Sequence, residues 1–473
     1  MTIRFFNTYS REIEEFRPLD PAGRKVKMYT CGPTVYSHAH IGNFRAYIFE
    51  DLLQRHLEAR GYTVERVMNL TDVDDKTIRG SRSAHLPLRE FTAQFKEAFF
   101  QDVETLRIKP ADAYPAATED RFVRAMIAMI EKLISLGLAY QAEDKSVYYR
   151  INRFPNYGHL AHFDLSELRP TGRVKSDEYD KEHVGDFALW KAWNAEDGEV
   201  WWESPWGRGR PGWHIECSAM ATTLLGEEID IHCGGVDNIF PHHEAEIAQS
   251  EGCSGKTFVR YWMHCAHLLV DGQKMSKSLG NFYTLRDLLG KGYSGREVRY
   301  ALIRVHYRAP LNFTWEGMEE ARQALGRIDD WLLRLQQAAP NDNATEKIED
   351  DKFFVALDED LNISAALGHL FEQIRESNRE LDTGMTQGRA RAWLGWWERI
   401  NQVLAFEAEE EKPPAEITAL AEQRVQARLA RNWQKSDELR DAIQSRGWEV
   451  RDTKEGQMLT RRPAPNERAG IPA

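Results

Sequence analysis

Two short segments of the chain carry side chains suited to chemistry on a nucleotide. The first covers residues 40–43 and includes His40 and Asn43, and the second covers residues 274–278 and includes Lys274 and Lys277. Histidine and asparagine can donate hydrogen bonds to phosphate oxygens. Paired lysines can neutralise the charge that develops on a departing pyrophosphate. Together the two segments predict two halves of one nucleotide site.

The elements around the first segment are those of a βαβ unit. A strand-like run at 26–30 precedes it, apolar residues at helical spacing follow it as far as Gly61, and a second strand-like run covers 62–70. In such a unit the end of the strand and the start of the helix form a crevice whose N–H groups and dipole suit a phosphate. Gly42 would let the base of the nucleotide come close. The second segment lies between glycine turns at 271–272 and 280–281, so it can close over a ligand.

The cysteines need an explanation other than disulfides. An odd number in a chain without a signal peptide argues for a reducing compartment. We expect three of them to be small buried side chains, namely Cys233, Cys253 and Cys265.

A metal site is possible at the other two cysteines, Cys31 and Cys217, which lie beside inferred active-site segments. A helix beginning near Phe240 would place His242 and Glu246 at i and i+4, on one face, where they could share an ion. From spacing alone the neighbouring residues 243 and 244 are equally available.

The chain resembles class I aminoacyl-tRNA synthetases, and in detail the cysteinyl-tRNA synthetase family. Besides the two segments above, four blocks resemble that family in the right order, at 28–36, 69–76, 212–220 and 240–246. The similarity covers nearly the whole length. It implies an α/β fold: a Rossmann-type parallel-sheet catalytic domain with an inserted subdomain, an α-helical bundle and a small mixed α/β C-terminal domain.

The resemblance also implies a reaction and the residues that serve it. Cysteine would be joined to tRNA(Cys) through a cysteinyl-adenylate, with Mg²⁺ accompanying ATP. The implied catalytic residues, which act by electrostatics, are His40, Asn43, Lys274 and Lys277. The implied ATP-binding residues are His40, Gly42, Gly235, Asp237 and Lys277. The implied cysteine-binding residues are Gly32, Thr34, Thr71 and Trp213. The implied ligands of one zinc ion per chain are Cys31, Cys217, His242 and Glu246.

Zinc suits this selectivity because it accepts thiolate readily, whereas serine offers a poorer, harder ligand. The alternative for Trp213 is an ordinary core aromatic residue. Two departures from the family stand out. Asn43 replaces the better-known second histidine, which keeps a donor but loses the possibility of charge, and Ala116 follows Pro115 where many members carry arginine.

The domain organisation follows from composition and pattern. We expect a catalytic domain at 1–310 with an insertion at about 115–225, a helical bundle at 311–406, an anticodon-recognition domain at 415–462 and a disordered tail at 463–473. Polar linkers are predicted at 338–349 and 407–414. The predicted bundle helices are 317–337, 351–383 and 388–406.

Two groups of side chains belong to these last domains. The tryptophans of the bundle are predicted to be core, namely Trp331, Trp393, Trp396 and Trp397. The anticodon domain is predicted to have strands at 448–450 and 457–461 and helices within 417–445 that are expected to reach the anticodon and that carry Arg424, Arg428 and Arg431.

Composition limits the class of protein but does not identify a function. The hydrophobic content of 42% suffices for sizeable cores, and no apolar run is long enough to cross a bilayer. The net charge of −12 does not predict a nucleic-acid partner, although the 62 basic residues can gather on one face. We expect a cytoplasmic monomer.

Two rival functions remain open at this stage. A tRNA-independent cysteine ligase would share the adenylating core and the zinc site but lack the full C-terminal domain. A catalytically inactive, zinc-containing RNA-binding or regulatory protein would need neither His40 nor the lysines Lys274 and Lys277.

Overall fold

The computed structural model describes residues 2–163, 185–339, 346–408, 413–453 and 456–461. Two compact units divide the chain. The first unit comprises Met1–Leu285 and Gly295–Phe406, and the second unit comprises Arg286–Ser294 and Glu407–Ala473.

Helices and strands alternate through most of the described chain. The helices are α1 (Ile41–Ala59), α2 (Asp75–Ser83), α3 (Leu88–Thr105), α4 (Asp120–Ser135), α5 (Trp213–Leu225), α6 (Glu244–Ser254), α7 (Leu285–Gly290), α8 (Gly295–Ile303), α9 (Trp315–Ala338), α10 (Lys352–Asp358), α11 (Ile363–Thr383), α12 (Gln387–Leu404), α13 (Ala415–Leu429) and α14 (Trp433–Ser445). The strands are β1 (Arg4–Asn7), β2 (Glu12–Glu15), β3 (Lys25–Thr30), β4 (Thr63–Met68), β5 (Ala139–Gln141), β6 (Val147–Tyr149), β7 (Phe187–Ala192), β8 (Gly209–Pro211), β9 (Ile229–Gly235), β10 (Val259–Cys265), β11 (Leu268–Val270), β12 (Gln273–Lys274), β13 (Leu311–Phe313), β14 (Trp448–Thr453) and β15 (Gly456–Arg461).

A four-stranded parallel sheet forms the centre of the first unit. Its strand order is β10-β9-β3-β4, and the pairing of β3 with β4 around α1 is the βαβ unit that the sequence predicts. The strands are buried near their carboxyl ends, where Met28, Tyr29 and Thr30 of β3 are inaccessible to solvent. The predicted parallel-sheet α/β fold is therefore confirmed, and its carboxyl edge is where a ligand site is expected.

A second, antiparallel sheet is inserted between β4 and β9 in the chain. It has the order β5-β6-β7-β8, and its last strand leads directly into α5. Residues 164–184 of the predicted insertion lie outside the described residues. The helix that follows the inserted sheet, α5, carries both Trp213 and Cys217.

The helical bundle buries the tryptophans that the sequence assigned to its core. Trp331 of α9 meets the rings of Trp393, Trp396 and Trp397 edge to face, with centroids 6.2 to 6.4 Å apart. All four side chains are buried, so that prediction is confirmed.

One predicted bundle helix is wrong in extent. The stretch 351–383 forms two helices, α10 and α11, because Asp360 and Leu361 between them adopt left-handed backbone conformations with φ of 58° and 52°. A helix cannot continue through such residues. Residues 340–345 of the predicted linker lie outside the described residues.

The second unit contains α13, α14 and the hairpin β14–β15 around a small core of Ile417, Ala421, Ile443, Trp448 and Val450. Of the three arginines on these helices, Arg424 has a structural role, because its side chain is buried and donates to both carboxyl oxygens of Asp452, at 2.8 and 2.9 Å. The predicted tail at 463–473 and residues 409–412 of the predicted second linker lie outside the described residues.

Within the described chain, every helix is either too short or too polar to cross a membrane.

A buried ion pair joins the central helix α1 to α8. Arg299 donates to Asp51 at 2.5 Å and also to the backbone oxygens of Leu404 and Leu106, at 2.7 and 3.1 Å. Burial raises the pKa of Asp51, but Arg299 and Arg55 outweigh that effect and hold the pKa below its ordinary value. One side chain thus fixes α1, α8 and the end of α12 together.

We therefore expect Arg299→Met to lower the free energy of unfolding by roughly 3–5 kcal/mol, because the change leaves a buried carboxylate and carbonyl groups without their donor. Urea unfolding followed by tryptophan fluorescence measures this cost. Lys256→Met is the control: Lys256 pairs with Glu227 at the surface, so its loss should leave the unfolding curve unchanged. A similarly small effect of both variants would contradict this stabilising role of Arg299.

Candidate active site and metal centre

The first predicted segment forms the start of α1. His40 is the N-cap: its Nδ1 accepts from the backbone N–H of Asn43 at 3.1 Å, while the Asn43 side-chain oxygen accepts from the His40 N–H at 3.1 Å. Because Nδ1 acts as an acceptor, the neutral ring carries its proton on Nε2. The Nε2–H of His40 and the side-chain amide N–H groups of Asn43 are the hydrogen-bond donors at this helix start.

The two predicted segments meet in space. His40 pairs with Thr284 in a β-bridge, and the N–H of Ile41 donates to the oxygen of Tyr283 at 3.0 Å. A side chain at Gly42 would begin 3.1 Å from the terminal carbon of Met275, so glycine permits this approach. The structure therefore brings together segments that stand far apart in the sequence.

The lysine segment itself is a hydrogen-bonded loop. Lys274 ends β12 and is exposed, and Lys277 begins a short 3₁₀ turn, Lys277–Leu279. The loop is held by Asn281, whose side chain accepts from the N–H of Ser276 at 2.8 Å and donates to the oxygen of Lys274 at 3.3 Å.

The remaining residues assigned to ATP lie at the carboxyl end of β9. Gly235 is the last residue of that strand, and Asp237 follows in a 3₁₀ turn. Both therefore lie at the carboxyl edge of the parallel sheet, where nucleotides bind in folds of this kind.

A compact group of metal-ligating side chains lies buried beside this edge. Ligand atoms of Cys31, His242, His243 and Glu246 all lie within 4.8 Å of one another. Three of the four predicted zinc ligands belong to this group. His243 is the addition, with its Nε2 3.3 Å from the sulfur of Cys31.

The fourth predicted ligand, Cys217, lies against Cys31 without belonging to the compact group. Burial raises the pKa of Cys31, and a hydrogen bond with Cys217 raises it further. The alternative ligand Glu244 is used elsewhere, because its carboxylate accepts from the N–H groups of Gly158 and Ala161 at 2.7 and 3.0 Å.

The predicted helix start near Phe240 is wrong. Phe240 has extended backbone angles (φ −135°, ψ 132°), a π-helical turn covers Ile239–His243, and α6 begins at Glu244. His242 nevertheless faces Glu246, with 3.1 Å between Nε2 and Oε1.

Three further histidines orient these side chains, and the sequence reasoning missed them. His232 lies 3.0 Å from Oε2 of Glu246, His214 lies 2.9 Å from Nδ1 of His242, and His264 lies 2.8 Å from Nδ1 of His243. Outer hydrogen bonds of this kind are typical of metal sites. The only available signal was the density of histidines between 214 and 264.

The electrostatic properties of Glu246 and His242 are those expected at a site for a cation. Oε1 of Glu246 is buried and has no hydrogen-bond partner among the described residues. Burial raises the pKa of Glu246 well above its ordinary value and lowers that of His242 well below it. A divalent metal would reverse both effects, because it favours the ionised carboxylate and the neutral imidazole. A thiol, an imidazole and a carboxylate are also the donor set that zinc prefers.

The residues assigned to cysteine surround this centre. Thr34 and Thr71 pair in a β-bridge, and a Cβ at Gly32 would lie 1.8 Å from the oxygen of Asn69, so only glycine fits there. Trp213 is 44% exposed and stacks on His242 with ring centroids 4.4 Å apart. The alternative that Trp213 is a core residue is therefore wrong.

Two other features complete the surroundings. Ala116 pairs with Leu70 beyond the end of β4, and Thr118 donates twice to the buried carboxylate of Asp72, at 2.9 and 2.8 Å. Glu216, which the sequence reasoning passed over, is buried beside Cys217. Burial raises its pKa well above the ordinary value.

Comparison with known sequences matches two domain families. The profile of the class I (C) tRNA synthetase catalytic domain matches residues 17–323, and that of the DALR domain matches residues 352–406. The cysteine–tRNA ligase of Protochlamydia amoebophila (strain UWE25) is 50% identical over 469 residues, which cover 97% of each chain. The cysteine–tRNA ligase of Brachyspira hyodysenteriae is 48% identical over 477 residues, covering 97% of this chain and 99% of the relative.

Solved structures share the fold at low identity. Mycobacterium tuberculosis methionyl-tRNA synthetase in complex with methionyl-adenylate has a TM-score of 0.58 at 15% identity, covering 80% of this chain and 89% of that chain. LeuRS of Agrobacterium radiobacter K84, in a ternary complex with tRNA and LeuAMS, has a TM-score of 0.59 at 12% identity, covering 82% and 85%. The match of the catalytic-domain profile and the identity to full-length relatives lead to one conclusion: this chain is an aminoacyl-tRNA ligase of class I and belongs to the cysteine–tRNA ligase family.

Proposed function

We propose that this enzyme attaches cysteine to tRNA(Cys) in the cytoplasm, as a monomer, in two steps. The cysteine carboxylate attacks the α-phosphate of ATP, which forms cysteinyl-adenylate and releases pyrophosphate. A terminal adenosine hydroxyl of the tRNA then attacks the acyl carbon and releases AMP. The observation that carries the proposal is the buried group of Cys31, His242 and Glu246 beside the joined signature segments, in a chain half identical to cysteine–tRNA ligases.

The first step needs alignment and charge stabilisation more than a protein nucleophile. His40 Nε2 and the Asn43 amide donate to phosphate oxygens, while Lys274 and Lys277 neutralise the pyrophosphate together with Mg²⁺. The nucleotide site is lined by Gly42, Gly235 and Asp237. The support for these roles is that the bridge between His40 and Thr284 brings the lysine loop to the start of α1.

Cysteine is held by the metal centre and by the segments around it. We assign Cys31, Cys217, His242 and Glu246 as zinc ligands, with Gly32, Thr34, Thr71 and Trp213 around the substrate. When bound, zinc supplies a thiolate-accepting ligand position that discriminates cysteine from serine. Discrimination by such a bond can exceed the roughly 1–3 kcal/mol that a methylene gives in an apolar pocket, which removes the need for an editing domain.

The tRNA-binding role is assigned to residues 415–462 as an anticodon-recognition domain. Two large apolar side chains are exposed near the turn between α13 and α14, Leu429 at 73% and Trp433 at 59%. Exposed Arg431 and Lys435 flank them. An exposed tryptophan beside cations suits an unpaired base and its phosphates. This unit argues against the tRNA-independent ligase, which lacks such a domain.

The metal assignment predicts one zinc per chain in freshly purified protein. Cys217→Ala should lose both zinc and cysteine affinity, and Glu246→Gln should lose less, because an amide oxygen still coordinates weakly. Elemental analysis and cysteine titration measure both quantities. Cys253→Ala, at a half-buried cysteine outside the site, is the control. Absence of zinc from the parent, or full cysteine affinity in Cys217→Ala, would refute the assignment.

The lysine assignment predicts that Lys277→Ala lowers kcat more than it raises the KM for ATP, because negative charge builds up on pyrophosphate in the transition state. The expected cost is roughly 3 kcal/mol, by analogy with removal of one charge-stabilising donor. Cysteine-dependent pyrophosphate exchange is the assay, with Lys256→Ala as a surface control. Exchange at the parent rate in Lys277→Ala would show that the assignment is wrong.

The tRNA assignment predicts that a chain ending at Phe406 retains pyrophosphate exchange near the parent rate but charges tRNA poorly, mainly through a raised KM. All residues assigned to ATP, zinc and cysteine precede that point. Circular dichroism must first establish that the shortened protein is folded. In the full chain, tRNA affinity should also fall steeply as salt rises, because phosphate contacts release counterions.

A point variant separates recognition from loss of the whole domain. Trp433→Ala in the full chain should raise the KM for tRNA without changing exchange, whereas Trp193→Ala, at a tryptophan of the first unit that is 43% exposed, should change neither. If the folded, shortened protein charges tRNA as well as the full chain, residues 415–462 have another role.

A further inference from the structure

The carboxyl group of Glu216 lies in the interior of the first unit. The residue is 1% exposed, and neither of its carboxyl oxygens has a hydrogen-bond partner among the described residues. An ionised carboxylate in the interior is costly unless a cation or several donors accompany it. Two other buried carboxylates have such partners, since Asp51 pairs with Arg299 and Asp72 with Lys96, whereas the oxygens of buried Glu50 also lack a hydrogen-bond partner among the described residues.

The groups around Glu216 are acids and a hydroxyl. The charged groups that act on it most strongly are Cys217, Asp72 and Asp74, and each is an acid. Thr71 offers only a hydroxyl. Asp72 already holds Lys96 at 2.6 Å, whereas no cation is among the groups with the strongest effect on Glu216.

Glu216 also lies where the segments assigned to cysteine converge. It precedes Cys217 in α5 and follows Trp213 by one helical turn. Thr71, which lies close to Glu216, pairs with Thr34 in a β-bridge. Thr34 is three residues after Cys31 in the sequence. The metal ligands Cys217 and His242 are equally buried, so a cysteine whose sulfur reaches the metal enters the same interior space.

The substrate has three groups to be placed. Its thiol belongs to the metal and its carboxylate must face the α-phosphate, which leaves an α-ammonium that needs an anion. Only two carbon atoms separate that ammonium from the sulfur. We propose that the Glu216 carboxylate binds the α-ammonium of cysteine, so that the site recognises the amino acid at three points. This inference rests on the proposed function.

Three thiols separate this role from a structural one. 3-Mercaptopropionate lacks only the amino group of cysteine, and cysteamine lacks only the carboxylate. In the zinc-loaded full chain, Glu216→Gln should weaken cysteine and cysteamine by about tenfold or more, as loss of a charge-assisted hydrogen bond implies. The affinity for 3-mercaptopropionate should stay unchanged. Isothermal titration calorimetry measures all three, with zinc content determined in parallel.

The control is Glu251→Gln, at a half-buried glutamate that accepts from the N–H of Phe258 and should alter none of the three affinities. Equal losses for all three thiols, or loss of zinc from Glu216→Gln, would assign Glu216 to the structure of the metal centre and overturn the proposal. Unchanged cysteine affinity would overturn it as well. Failure of the proposed function is seen separately, as absence of cysteine-dependent pyrophosphate exchange in the parent protein.

Discussion

The buried carboxyl group of Glu246 is the constraint on which the rest of the site depends. Its carboxylate lies in the interior, with one oxygen held by His232 and the other, near His242, lacking a hydrogen-bond partner among the described residues. Without a cation, burial would leave the carboxyl protonated and the histidines neutral. A divalent metal satisfies both the acid and the sulfur of Cys31 at once. The cluster therefore makes physical sense as a metal centre and is costly as an ordinary core.

The parallel sheet explains why these side chains converge. Cys31 follows the end of β3, and its N–H donates to the oxygen of Cys233 in β9 at 3.2 Å. His232 of β9 lies opposite Trp262 of β10 in the strand register. Because the carboxyl ends of parallel strands share an edge, the cluster of Cys31, His242, His243 and Glu246 lies on the same side of the sheet as the start of α1 and the lysine loop. The ion pair of Arg299 and Asp51 holds α1 against α8.

The sequence predicted those parts of the site that local patterns encode. The helix that follows His40, the βαβ unit and the buried tryptophans of the bundle follow from helical and strand periodicity, and the structure agrees. The histidines at 232 and 264 could not be predicted, because strand pairing rather than spacing brings them to the cluster. Pattern also failed at residues 359–362 and at Phe240, where backbone conformation interrupts an apolar period. The structural role of Arg424 was missed for a related reason, since composition does not reveal that its side chain is buried and paired with Asp452.

We propose that a metal held by the sulfur atoms of Cys31 and Cys217 receives the sulfur of the substrate. X-ray absorption spectroscopy at the zinc edge of the purified protein tests it most directly. We expect two sulfur ligands at about 2.3 Å and two nitrogen or oxygen ligands at about 2.0–2.2 Å, and a third sulfur after cysteine is added. One sulfur in the free protein would favour His243 over Cys217 as the fourth ligand. A spectrum that does not change with cysteine would contradict thiol recognition by the metal.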